Sequence, residues 1–135
     1  MATFTKFNPF VEALAEKKHN LGSDQLVVAL TNVAPSASNA VLTDITQISY
    51  TDLSSRNITT ASSTQTSGTY KLVLNDLVLT ASGAVATFRY VVLYNDTATN
   101  DDLIGYYDYG SSLTLASGET FTLDFDPSAG ALTIA

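Results

Sequence analysis

The stretch Thr87–Gly110, TFRYVVLYNDTATNDDLIGYYDYG, decides the fold. Phe88, Tyr90, Val92 and Tyr94 alternate onto one face of an extended strand, and Val91 and Leu93 onto the other. A strand that is apolar on both faces belongs in the middle of a structure. The polar run Asn95 to Asp102 turns the chain, and Leu103 to Tyr109 runs back as a second strand. Five of the chain's seven tyrosines sit in this predicted hairpin.

Working outward, the segments on either side carry the same strand-and-turn rhythm. Gln25–Thr31 alternates with Leu26, Val28 and Leu30 inward, and Ile58–Ser62 and Gly68–Leu74 read as two further strands. Leu77–Leu79, Glu119–Asp126 and Ala131–Ala135 complete a set of eight or nine. Leu-rich phrases ending in Ser82-Gly83 and Ser117-Gly118 punctuate the reversals. Asn32–Ala40 is a loop by its Pro, Ser and Asn content, and Val41, Leu42 and Ile45 have the spacing of a single helical turn that plugs the core. Gln47–Arg56 is weakly patterned and predicts no regular element.

At the front, Asn8-Pro9 reads as a helix start, with Asn8 as the cap. Phe7, Phe10, Val11, Leu14 and Leu21 follow helical spacing, and Gly22 is the stop, so one amphipathic helix is expected over about 9–19. The expectation is a single all-β domain over residues 1–135. It is a two-sheet antiparallel β-sandwich, jelly roll or immunoglobulin-like, with the helix over an open end or an exposed edge.

Composition limits the function. The chain has 135 residues, 45% of them hydrophobic and only 14% charged, with Thr and Ser supplying the polarity. A net charge of −7 with six scattered Lys and Arg argues against nucleic acid or an anionic membrane as partner. With no cysteine there is no disulfide, thiolate chemistry or Cys-based zinc site. No apolar stretch approaches the roughly 20 residues of a membrane span. The N-terminus lacks the pattern of a secretory signal, and the expected place of synthesis is the cytoplasm.

Candidate chemistry is sparse. His19, the single histidine, follows Lys17 and Lys18 and reads as a cation near a helix C-terminus rather than a catalytic base. Asp96, Asp101 and Asp102 lack the ligand ladder of a calcium loop and read as a solvated hairpin tip. Asp124 and Asp126 share a strand face, which is more often a strand's wet side than a carboxylate pair. Tyr106, Tyr107 and Tyr109 read as core or rim packing before a stacking platform for sugars. Asn57-Ile58-Thr59 and Asn95-Asp96-Thr97 match the glycosylation pattern but carry no meaning without a secretory signal. No enzyme activity, cofactor or metal is expected.

Taken whole, the chain resembles a family of small structural proteins of tailed bacteriophages. The opening MATFTKFNPFVEALAEK, the central SGTYKLVL and FRYVVLYNDTATNDDLIGYYDYGSSLTLASGETFTLDFD, and the closing GALTIA carry the likeness. The resemblance implies a virion component, a capsid decoration (cement) protein on the outer surface of a shell of major capsid protein. A homotrimer is the expected assembly, and a tail, neck or baseplate adhesion or carbohydrate-binding module is the alternative. The family has no catalytic motif to transfer. Phe4, Phe7 and Phe10 stand in quick succession ahead of an otherwise complete β pattern. They are expected to form part of a contact surface, so that a chain without residues 1–20 keeps its sandwich and loses its partner. Arg56, Lys71 and Arg89 are the cations expected to meet an acidic capsid patch.

Overall fold

A computed structural model describes residues 2–135. Ten strands and one α-helix lie among them: β1 (Thr3–Lys6), α1 (Asn8–Ala15), β2 (Leu26–Thr31), β3 (Asn57–Ile58), β4 (Thr60–Thr66), β5 (Thr69–Leu74), β6 (Leu77–Thr80), β7 (Val85–Asn95), β8 (Leu103–Leu115), β9 (Thr120–Leu123) and β10 (Leu132–Ile134). The protein is mostly β and its sheets are antiparallel. One sheet has the order β1-β8-β7-β2-β3, a second β10-β5-β4, and the third is the pair β6-β9.

The predicted hairpin is the β7–β8 pair at the centre of the largest sheet, joined to β2 on one side and β1 on the other. One face of that sheet presents Leu26, Val28, Leu30, Val91, Leu93 and Ile104 to the main core. Leu72, Leu74 and Leu132 of the second sheet and Leu79 and Leu123 of the third meet them there. This arrangement is compatible with the expected sandwich. The sheet's other face is also covered: Val27, Ala29, Val92, Tyr94 and Leu103 form a smaller core closed by Phe7, Leu42 and Ile45. All six residues of β2 are therefore buried, where simple alternation predicts only three.

Leu42 and Ile45 do their plugging from a 3-10 turn at Leu42–Asp44. The unpatterned stretch 47–56 contributes an isolated bridge from Leu53 to Ala81 and no strand, yet it is firmly tied. Ile48 donates its amide to the Leu30 carbonyl at 3.0 Å, and the Tyr50 hydroxyl accepts from the Leu30 amide at 2.9 Å.

Alternation misplaces a side chain wherever a strand bulges, and the register of β7 against β8 shifts in three places. Phe88 lies in the main core with Val91 and Leu93, not with Val92 and Tyr94, because one shift falls between Phe88 and Tyr90. An extra residue in a strand reverses the facing of everything beyond it. Another shift, between Leu93 and Tyr94, leaves Ile104 as the extra residue between the Gly105 and Leu103 pairings. There its side chain enters the main core, while Leu103 turns to the smaller one.

The helix is shorter than predicted. It ends at Ala15, because Lys17 adopts a left-handed conformation with φ 69°. The Lys18 amide then bonds the Ala13 carbonyl and the Lys17 amide the Leu14 carbonyl, the pairing of a Schellman stop. Asn8 is the first helical residue and not a side-chain cap; its amide donates to the Ala37 carbonyl at 2.8 Å. No described helix is long and apolar enough to cross a membrane.

The segment before the helix is a strand the sequence does not announce. In β1, Phe4 lies opposite Tyr107 and Lys6 opposite Gly105. The Phe4 ring fills the space where a side chain at position 105 would go. A Cβ there would collide with the ring and lie 2.8 Å from the Thr5 carbonyl oxygen. Backbone on one side prevents easy relief. Gly105→Ala is expected to destabilise the protein by about 2 kcal/mol, measured by urea unfolding. It should also raise amide exchange selectively at Thr3–Lys6. An unchanged midpoint would show that β1 is not held by this contact.

Candidate functional site

A concavity of about 890 Å³ lies where the segment after α1, the β7–β8 loop and the second sheet meet. His19, Asp24 and Asp102 line it, together with Ser63 and Tyr70. His19 and Asp24 are both bonded to Asn95, the last residue of β7, which is wholly buried. The Asn95 carboxamide oxygen accepts from the backbone amides of Thr97 at 3.0 Å and Ala98 at 3.2 Å. That fixes the orientation of the amide, so its nitrogen faces inward. The nitrogen donates to Asp24 Oδ2 at 2.6 Å and to His19 Nδ1 at 3.0 Å.

A donor opposite Nδ1 makes that nitrogen the acceptor, so the His19 proton sits on Nε2. Nε2 is buried and has no hydrogen-bond partner among the described residues. His19 is 6% exposed, and its ring packs 5.2 Å from that of Phe10. The histidine expected as a cation near a helix C-terminus is thus a neutral, enclosed residue four positions beyond the end of α1 at Ala15. Burial lowers its pKa below the ordinary 6.5; the Asp102 and Asp24 carboxylates oppose that, and Lys18 adds to it.

The folded state therefore binds a proton on His19 less readily than the unfolded chain does. Stability falls as pH drops below about 6.5 and levels off below the folded pKa. Protonation would also place a donor against the Asn95 nitrogen. Urea midpoints measured against pH should show this slope in the parent and lose it in His19→Gln. A parent curve flat just below pH 6.5 would refute the assignment.

The remaining sequence candidates are dispersed. Asp102 is buried at the cleft, whereas Asp101 takes a left-handed turn position with φ 52°. Among the described residues, no three acidic or histidine side chains converge as a metal-binding set. Asp126 shapes a turn, accepting from the amides of Ser128 at 2.7 Å and Ala129 at 2.9 Å, and these bonds hold its carboxyl below the usual range. Asp124 lies beyond the end of β9, so the two do not share a strand face.

The tyrosines divide between the sheet's two faces. Tyr106 packs on Phe7 in the smaller core, while Tyr107 meets Phe4 and Phe125 and Tyr109 meets Phe121 on the main-core side. They form no common platform. Burial pushes the Tyr107 hydroxyl up to about 12. Only a hollow of about 230 Å³ opens beside Tyr107, Tyr109 and Asp124. Of the two glycosylation matches, Asn57 is exposed in β3, but the Asn95 amide is consumed by its buried bonds.

Comparisons with protein families, curated proteins and solved structures return no match.

The six residues expected to touch a partner stand in different places. Phe7 is completely enclosed and Phe10 is 4% exposed, so both serve the cores and neither is free for contact in this fold. The front segment needs closely spaced aromatics because it must serve two cores at once. Phe4 is half-buried, with its ring tilted against Tyr107 at 5.4 Å. Arg56 donates to the Val28 carbonyl and stacks 3.6 Å from the centre of the Tyr50 ring, fastening the 47–56 stretch to β2. Arg89 grips Asp108 with two bonds at 2.8 and 3.1 Å. Lys71 donates to the Ser128 carbonyl at 2.9 Å in a solvent-exposed bond.

Sequence reasoning missed Asn95. The Asn-x-Thr signature of a side-chain-closed turn is present at Asn95-Asp96-Thr97. Its partners His19 and Asp24 are 76 and 71 positions away, which no local pattern reveals.

Proposed function

We propose that this protein is a non-enzymatic virion component of a tailed bacteriophage, a capsid decoration protein that bridges major capsid protein subunits on the outer surface as a homotrimer. The observation that carries the non-enzymatic part is the use made of its chemistry-bearing side chains. His19, Asp24, Arg56, Arg89 and Asp126 each bond the protein's own loops and strands, and the two of them that line the cleft, His19 and Asp24, are tied to the buried Asn95 amide. The virion role is supported by the likeness in the opening, central and closing segments and by the chain's acidity, which suits the outside of a phosphate-filled particle. The fold that accompanies this reading is a sandwich of jelly-roll or immunoglobulin type, with the two smaller sheets together forming the second layer.

One observation favours the alternative, a carbohydrate-binding or adhesion module of tail, neck or baseplate: the cleft beside His19 is large enough for a sugar. Particles assembled without the protein separate the two. Under the decoration reading they form normally but release their contents at lower temperature. If their heads stay equally robust while attachment to host cells fails, the adhesion reading replaces it.

A further inference from the structure

We infer that the groove between α1, β1 and β10 is a strand-addition site for an extended partner segment that is apolar and acidic. The groove, about 540 Å³, has Phe4, Phe10, Val11, Leu14, Leu132 and Ile134 along it. Val11 is 52% exposed and Ile134 40%, two of the four large hydrophobic side chains left open among the described residues. Isolated exposed apolar residues are ordinary, but here two share one groove with a buried apolar floor.

The backbone specifies the kind of occupant. Among the described residues β1 pairs only with β8 and β10 only with β5, so each has one edge without a strand partner, and both strands line this groove. Unpaired amides and carbonyls beside apolar pockets are what an added strand uses: main-chain bonds give affinity and alternate side chains fill the pockets. β10, Leu-Thr-Ile, has neither the charge nor the proline that usually blunts an edge.

Charge specifies the partner's sequence. Lys6 is the single charged residue among those described along the groove, in a chain of net charge −7. A segment alternating apolar residues with a carboxylate satisfies both the floor and Lys6. In the decoration reading the segment belongs to the capsid subunit; only that identity rests on the reading, and the site itself does not.

The test uses the full chain and a fluorescent, end-capped heptapeptide alternating valine with aspartate and threonine. Saturable anisotropy is expected, with amide shifts at Thr3–Lys6 and Leu132–Ile134. Val11→Asp and Ile134→Asp, both at exposed positions and so expected to keep the parent melting curve, should each weaken binding about tenfold. A proline at the peptide's centre should abolish binding, and Lys6→Glu should invert the preference toward a lysine-substituted peptide. No saturation, or binding indifferent to the central proline, overturns the inference. So does concentration-dependent self-association that shifts the same amides without peptide, which would make a second copy the occupant. The particle experiment is independent, so either can fail alone.

Discussion

A chain lacking residues 1–20 is expected not to fold. The deletion removes β1, which pairs with β8 along its whole length, and so converts a covered strand of the largest sheet into an edge. It also removes Phe7 from one core, Phe10 from the other, and His19 from Asn95. Phe7→Ala alone should cost about 3–5 kcal/mol, a large part of the stability of a domain this size. Far-UV circular dichroism through a urea titration would check both. A cooperative transition in the deletion protein would show that the sandwich stands without its front segment, as the sequence suggests. Val11→Asp serves as the control, since that side chain is half exposed.

The second large effect is expected at Asn95. Replacing it with leucine preserves volume but strands the Thr97 and Ala98 amides and leaves Asp24 and His19 without their shared donor. Groups left without partners cost about 1–3 kcal/mol each where water cannot reach them; His19 is buried and Asp24 and Ala98 half-buried, whereas Thr97 is exposed, so a total of about 3 kcal/mol is expected. Asn95→Asp gives a sharper result. A carboxylate there still accepts from the two amides, but it now offers an acceptor to His19 Nδ1 and a repulsive charge to Asp24. Both favour protonated histidine, so the variant should lose less stability relative to the parent at mildly acid pH than at neutral pH. The parent's slope just below pH 6.5 would then be reduced or reversed. An unaltered slope would mean that Asn95 does not govern the protonation of His19.

Particular residues explain what could be read in advance. β2, β5, β6 and β7 coincide closely with the predicted strands, and β9 falls inside its predicted range, because their apolar residues alternate or run continuously as strands with one or two buried faces do. β4 extends past its predicted end at Ser62 through Ser-Thr-Gln-Thr, and β8 runs on from Tyr109 to Leu115. A largely exposed polar stretch such as 63–66 has no apolar period to detect, and in β8 Gly110, Ser111 and Ser112 interrupt the pattern before Leu113 and Leu115. β1 is too short to show a period. The misplacement of Phe88 comes from bulges, which insert a residue without any compositional mark. Sequence overextends the helix because Lys17 is an ordinary helix former whose left-handed conformation is imposed by the turn it caps. For the site, the individual residues are visible in the sequence but their meeting is not. His19 reads as a cation near a helix C-terminus until Asn95 and Asp24 are brought to it, and Phe7 reads as surplus until the largest sheet is found to have a second covered face.

The order of the strands has a consequence for how this protein comes into being on the ribosome. β1 waits for β8, β2 for β7, and β5 for β10. At about 5–20 residues per second, roughly a hundred residues separate the emergence of β1 from that of its partner, so the opening segment spends seconds with Phe4, Phe7 and Phe10 unsheltered. The β4–β5 hairpin can form on the way, but the largest sheet cannot close until β8 has left the exit tunnel. Most of the structure is thus acquired late and together rather than progressively.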